Sequence, residues 1–422
     1  VVVLTLPLAV VATACSDSVT SARQTPPPVR IGAIYNLTGE QWSLDGPSLE
    51  GARLAVDRIN AHGGLLGRRV ELLERDGHTN ERDVRLAAAN LVASGCSAII
   101  GLSDTDQVLA AAPVAARAGV PFVTSGATSP LLTTQVPNWL FLACFGDNAQ
   151  AAASAQYATD QLGARTAAVL FDRDLDYTRL LARYFGRSLR AQGGSVLVTA
   201  DFADPQEAVK RLRAGARGAQ SSEDDADAGA DEPAEDAGTS SGPVGASSDP
   251  DASAAKADVL FVAAGPDDAP GLVARLRAAG YRQPIMGGDS YDSEELVSAA
   301  EKTGGKVYYT THAGVGMSSA SRAIRRFDAY FQAAYGRPPQ NAFAALGYDA
   351  LGLVATAIRR ADSVNPTKVR EALQTTRHFP GVTGTLSYAG DERVPHKKVT
   401  MVCVGRRPVV VAQFTPGYVA EP

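Results

Sequence analysis

Cysteine and histidine are scarce in this chain, and long apolar runs are missing after its first residues. Four cysteines (Cys15, Cys96, Cys144, Cys403) and five histidines (His62, His78, His312, His378, His396) are scattered over 422 residues. None of the histidines sits at metal-ligand spacing from another histidine or a cysteine, so no metal site is expected. No G-x-S-x-G elbow, phosphate loop or H-E-x-x-H helix occurs, which removes the usual signs of nucleophilic, nucleotide or zinc-protease chemistry. Past residue 28, no segment approaches the roughly 20 apolar residues that span a bilayer. Arg68-Arg69, Arg325-Arg326 and Arg359-Arg360 lie at a turn or on helices without interleaved aromatics, as solvated faces do, so nucleic acid is not an expected partner. We therefore expect neither catalysis nor a cofactor.

What is present begins with an uneven distribution of charge. The formal net charge is −5, yet Ala219 to Ala255 alone holds ten acidic residues and no basic one; without those acids the chain would stand at +5. The segment is rich in Ala, Ser, Gly, Asp and Pro, and it cannot bury enough surface to offset the entropy of ordering. We expect residues 219–256 to be a disordered acidic insertion between a helix (Pro205 to Ala214) and a strand (Asp258 to Ala263). Its acids lack the spacing and central glycine of an EF-hand loop, so calcium is not the expected occupant.

The N-terminus reads as an export signal. Val1 to Ala14 is apolar apart from two threonines, too short to span, and it ends in Ala12-Thr13-Ala14-Cys15. Small residues directly before a cysteine resemble a bacterial lipoprotein box, with Cys15 as the lipid-bearing residue. Residues 1–14 are then a signal peptide, and 15–28, ending in three prolines, are a tether. No Met or basic stretch precedes the apolar run, and we expect the natural leader to start upstream.

From Val29 onward, strand and helix patterns alternate. Arg30 to Tyr35 is a short apolar strand, Leu49 to Ala61 carries an apolar helical stripe, and His62-Gly63-Gly64 ends that helix. The alternation continues through Ala98–Gly101, Phe122–Thr124, Ala167–Phe171, Ser195–Thr199, Asp258–Ala263, Pro284–Met286 and Lys306–Tyr309, with helices between them. Parallel sheets covered by helices on both faces follow from that order. The ends of such strands are where α/β proteins bind ligands.

An ordered set of short motifs carries a resemblance. LTG at Leu37, EGARLAVDRIN at Glu50, Gly63-Gly64, Gly67 and Asp76 come first. AIIG at Ala98, GVPFVTSGATSP at Gly119, Asp147 with Gln150, ADVLFVAAG at Ala257, RAAGY at Arg277, IMGGD at Ile285 and GYDAL at Gly347 follow. Over roughly Val29 to Val411 the chain resembles the branched-chain amino-acid-binding proteins of ABC importers. The resemblance implies an α/β type I periplasmic-binding-protein fold, with two doubly wound α/β domains joined by three hinge crossings. Carried over, the crossings fall near Cys144–Asp147, Thr311–Ala313 and Pro380–Gly384. Domain 1 is then 29–144 plus 313–380, and domain 2 is 145–312 plus 381–418. A family disulfide is not expected here, because its places hold His78 and Asp104; Cys96 and Cys144 are expected as buried free thiols.

The resemblance also implies a site for a small amino acid or similar zwitterion, probed first in the loops after strands. Ser103 and Thr105 begin one helix, and Ala127 and Thr128 follow the next strand; together they are expected to hold the ligand carboxylate. Capping of the helix by Ser103 or Asp104 is the simpler alternative. Tyr177 and Asp289 are expected to meet the ammonium, and Trp42 and Leu44, in the first loop, the side chain. An ABC permease is the implied partner, the protein is expected to be a monomer, and its place is extracytoplasmic, anchored by lipid on Cys15. A sensor on the same fold and an enzyme are the alternatives. If Cys15 carries the anchor, Cys15→Ala in the full-length precursor should move the protein out of the membrane fraction or block its processing. Unchanged fractionation and maturation would contradict the anchor.

Overall fold

The computed structural model describes residues 1–3, 26–214, 254, 256–317, 321–388 and 392–422. Cys15 and most of the acidic segment lie outside them. Two sheets account for the core. The first is entirely parallel: β1 (Val29–Tyr35) lies between β2 (Val70–Asp76) and β3 (Ile99–Gly101), followed by β4 (Phe122–Thr124) and β5 (Leu140–Leu142). Alternate side chains of a strand point to opposite faces. Thus Ile31, Ala33 and Tyr35 pack on one side with α1 (Trp42–Ala61), while Ile34, Ile99 and Phe122 pack on the other with α2 (Glu81–Ala93) and α3 (Thr105–Arg117). A short α4 (Leu132–Gln135) precedes β5.

The second domain starts with α5 (Asp147–Gln161), β6 (Thr166–Asp172), α6 (Asp176–Ala191), β7 (Ser195–Phe202) and α7 (Ala208–Ala214). It continues through β8 (Val259–Ala263), α8 (Asp268–Ala278), β9 (Ile285–Gly287), α9 (Glu294–Thr303) and β10 (Val307–Thr311). Three helices then return to domain 1: α10 (Arg322–Tyr335), α11 (Ala342–Ala361) and α12 (Pro366–Gln374). A hairpin of β11 (Phe379–Gly381) and β12 (Gly384–Leu386) follows, and β13 (Val399–Val404) and β14 (Pro408–Phe414) complete the second sheet. Its order is β14-β13-β10-β9-β8-β6-β7, parallel from β7 to β10 and antiparallel at β13 and β14. Helix α11 is long and apolar enough to cross a membrane, but 78% of that stretch is buried, as befits a core helix.

Several boundaries differ from the sequence reading. Helix α1 begins at Trp42, not Leu49, and runs through Pro47. A proline there leaves the carbonyl four residues back without its helical donor. That carbonyl is Ser43, and the Asn341 side-chain amide donates to it at 2.9 Å. Trp42 and Leu44 are therefore first-turn helix residues rather than loop residues. Strand β5 and helix α2 are absent from the sequence reading.

The third crossing also moves. Leu386 and Tyr388 pack in the domain 1 core, the Tyr388 hydroxyl donates to Leu142 O at 2.8 Å, and Leu142 N–H donates to Arg393 O at 2.9 Å. The buried Lys397 ammonium donates to Ala143 O at 2.9 Å before β13 enters the second sheet. Residues 381–388 and 392–393 thus belong to domain 1, and the chain crosses at about residues 394–399. The chain also runs between the two sheets at residues 143–146 and 312–313. The expected insertion also ends too late, since Ala254 is buried in the domain 2 core and accepts a hydrogen bond from the Gln283 amide. Cys96 and Cys144 are buried free thiols.

Helices α1 and α11 cross with almost no gap. A Cβ at Gly51 would lie 1.7 Å from Ala344 O, and one at Gly347 would lie 1.8 Å from Ser48 O. Backbone atoms cannot yield as a flexible side-chain tip can. Gly347→Ala should cost at least about 2 kcal/mol despite alanine's better helix propensity. Gly271→Ala, on exposed α8 with nothing within 4 Å, should be neutral or stabilising. Denaturant unfolding of both variants checks the opposite signs.

Candidate ligand site between the domains

The domain 1 wall is built where β3 and β4 end. Gly101 (φ +136°) and Leu102 (φ +58°) turn the chain sharply away from the sheet. A Cβ at Gly101 would lie 1.7 Å from Ile34 O, so only glycine fits the turn. Asp104 then caps α3, its Oδ1 accepting from Gln107 N–H at 2.9 Å. After β4, the Thr124 hydroxyl donates to Leu102 O at 2.8 Å and accepts from Ala127 N–H at 3.0 Å, locking the two loops together. Gly126 lets them meet, since a Cβ there would lie 2.7 Å from both Ser103 Oγ and the Phe343 ring.

On domain 2 the strand ends supply Leu175 and Tyr177 after β6, Gly265 and Pro266 after β8, and Asp289 and Ser290 after β9. Asp289 is 2% exposed. Its Oδ1 accepts from the Gln150 amide and the Tyr177 hydroxyl, each at 2.9 Å, and its Oδ2 contacts His312 Nε2 at 2.9 Å. Gln150 Oε1 in turn accepts from Asp289 N–H at 3.0 Å and from the Thr310 hydroxyl at 2.6 Å. A Cβ at Gly288 would lie 2.2 Å from the Tyr177 hydroxyl oxygen, so this glycine leaves room for that bond. His312 sits at the second crossing and stacks on Phe145 of the first, ring centroids 3.9 Å apart.

Burial decides the protonation of this network. It lowers the His312 pKa against the opposing pull of Asp289. The imidazole is then neutral at neutral pH, donating from Nε2, and its Nδ1 is buried with no partner. All three donors to Asp289 are neutral groups. Asp147, whose Oδ1 accepts from Gln150 at 2.9 Å, is pushed up to about 7 mainly by burial.

A small cavity joins the walls. It is lined by Leu44, Ser103, Asp104 and Thr128 from one side and by Tyr177 and Asp289 from the other, among others, with about 20 Å³ open to the centre of a water molecule. Such a space holds one or two waters, so the domains are closed. Asp176 N–H donates to Asp106 Oδ2 at 3.3 Å across the gap. Five of the eight expected contacts therefore converge: Leu44, Ser103, Thr128, Tyr177 and Asp289. Thr105 is buried just behind, its hydroxyl unpartnered, and does not line the cavity. Trp42 is 46% exposed and does not line it either. Ala127 cannot serve as expected, because its N–H is already bonded to Thr124. Gln150, Asp147 and His312 were not chosen as site residues. The first two were visible only as shared motif letters, and His312 only as one of five scattered histidines.

A model of periplasmic binding proteins matches residues 28–226 and 246–407. The chain belongs to that family. The Leu/Ile/Val-binding protein BraC3 of Rhizobium johnstonii is 26% identical over 85% of this chain and 87% of its own length. LivJ of Streptococcus pneumoniae, solved with isoleucine, superposes with TM-score 0.74 at 26% identity, covering 94% of this chain and all of LivJ (100%). A Rhodopseudomonas palustris solute-binding protein solved with benzoate shares the fold, with TM-score 0.73 at 17% identity over 94% of this chain and 98% of its own. The chain is thus an extracytoplasmic solute-binding protein of the leucine-binding-like type I class, and it delivers a small ligand to an ABC transporter. Its task is binding without catalysis. Among the described residues no three His, Cys, Asp or Glu side chains gather as metal ligands.

Behind the domain 1 wall, Asp45 is fully buried and accepts from Asn36 N–H at 2.8 Å, while its other oxygen has no partner. Burial pushes its pKa up to about 7. The folded pKa lies above the unfolded value of about 3.9, so the folded state binds the extra proton between them. Stability tied to Asp45 is present at low pH and is lost as pH rises from about 4 through 7. Asp45→Asn keeps the acceptor for Asn36 and removes the titration. The melting temperature of the variant relative to wild type should therefore climb between pH 5 and pH 8; parallel curves would contradict a buried charge.

Proposed function

We propose that the cleft captures a small amine-bearing solute, with Asp289 as its cation contact, and that lipid on Cys15 holds the protein at the membrane. The geometry of Asp289 carries the ligand reading. Its carboxylate is buried and, among the described residues, receives only neutral donors, and no lysine or arginine lines the cavity. A buried anion of this kind is costly until a cation reaches it. A ligand ammonium is that cation, with Tyr177 beside it and the Ser103 and Thr128 hydroxyls on the opposite wall. Amino acids of the Leu/Ile/Val type, which the relatives' names carry, fit this end of the site. An aromatic monocarboxylate such as benzoate brings charge of the wrong sign. Contacts on both walls exist only when the cleft is shut, so binding and closure are coupled.

A thermal-shift screen of amino acids, amines and aromatic acids should find amines raising the melting temperature. In calorimetry, Asp289→Asn should weaken the best ligand by roughly 30-fold or more, the range for losing one partner of a desolvated charge-assisted pair. An unchanged affinity, or a best ligand without a cationic group, would overturn the reading.

A further inference from the structure

On the domain 1 wall the chain's own groups already take up several of the donors that could meet a ligand carboxylate. Ala127 N–H is bonded to Thr124 at 3.0 Å, and Gly126 N–H to Leu102 O at 3.3 Å. At the N-terminus of α3, Gln107 N–H is taken by Asp104 at 2.9 Å. The helix end that favours an anion already has one, covalently attached.

Asp104 also changes the charge of the cavity. It is 7% exposed and faces Asp289, 2% exposed, from the opposite wall. Among the described residues, these two carboxylates are the only charged side chains lining the space. The rim repeats the pattern. Burial raises the pKa of Asp267 to about 6 and that of Asp268 above the usual range, and Glu40 of domain 1 adds repulsion to both. Asp106 is likewise raised to about 6 by burial and by Asp104. The nearby arginines are committed to acids, Arg179 to Asp176 and Arg173 to Asp201. Leu44, Leu175, Pro266 and Phe343 offer apolar contact between the two acids, and Ser103 Oγ lines the space buried and unpartnered.

We propose that the ligand is a small organic cation without a free carboxylate, its positive charge set between Asp289 on domain 2 and Asp104 on domain 1. This rests on the reading of Asp289 as the cation contact and narrows the solute class from amino acids to amines: an amino-acid amide, a monoamine or a diamine. The free carboxylate of an amino acid would be driven against Asp104 in a water-poor space, where like charges repel strongly.

Calorimetric titration of the full chain with L-leucine, L-leucinamide and 1,5-diaminopentane tests it. At least one of the two carboxylate-free amines should bind wild type tenfold or more tightly than leucine. Asp104→Ser retains a helix cap and should shrink that preference by tenfold or more. Leucine as the tightest of the three in wild type would overturn the proposal, and that measurement decides even if the variant does not fold. Leucine binding best yet lost in Asp289→Asn would sink only the narrowing. Benzoate binding where none of the three does would sink the amine reading with it.

Discussion

The buried carboxylate of Asp289 is the constraint on which the site depends. A charge at 2% exposure has lost its water, and each lone pair left bare costs several kcal/mol. The protein answers with donors drawn from separate elements. Gln150 comes from the first turn of α5, Tyr177 from the first turn of α6, and His312 from a hinge crossing. Each donor then imposes its own condition. Tyr177 requires Gly288, because any Cβ there would occupy the place of its hydroxyl. Gln150 spends its carbonyl oxygen on Thr310 and on the Asp289 backbone, which orients its amide without ambiguity.

This arrangement links the ligand wall to the hinge. His312 holds Asp289 through Nε2 while its ring stacks on Phe145, so the first and second crossings touch each other through a residue that also touches the site. The third crossing is fastened nearby by Lys397, which donates to Ala143 O and to the Thr383 hydroxyl. Rotation of one domain on the other must carry these contacts with it. A ligand that pulls on Asp289 therefore acts on a carboxylate bonded to the hinge itself, a short route from occupancy to closure.

The sheet-and-helix frame was legible because its strands are apolar and its helices carry regular stripes; β1, the stripe of α1 and the strand before Asp289 all read correctly. What failed has physical causes. Pro47 argues against a helix from sequence alone, and only Asn341, some three hundred positions away, supplies the donor that makes the helix tolerable. The third crossing was misplaced because Leu386 and Tyr388 say nothing in sequence about which core they enter. At the candidate site, strand-end residues such as Asp289 and Tyr177 could be named from the sequence, since loop position and chemistry coincide there. His312 was not, because its meaning comes from a partner 23 residues away across a sheet edge. Ala127 read as a ligand contact because a hydrogen bond to Thr124 leaves no mark on the sequence.

The acids around the cleft give closure an electrostatic cost. Shutting the domains brings Glu40 of domain 1 toward Asp267 and Asp268 of domain 2, and Asp106 against the backbone of Asp176. Asp106, Asp267 and Asp268 are each harder to ionise here than in water, by burial first and by their neighbours second. The closed form consequently favours either protons or cations in the gap. At neutral pH, where protons are scarce, a bound cation is the agent that relieves the repulsion. Its attraction to both walls is realised only when they approach. The acids on both walls thus make closure report the sign of what has entered the cleft, which is the discrimination a solute-binding protein needs before it engages a transporter.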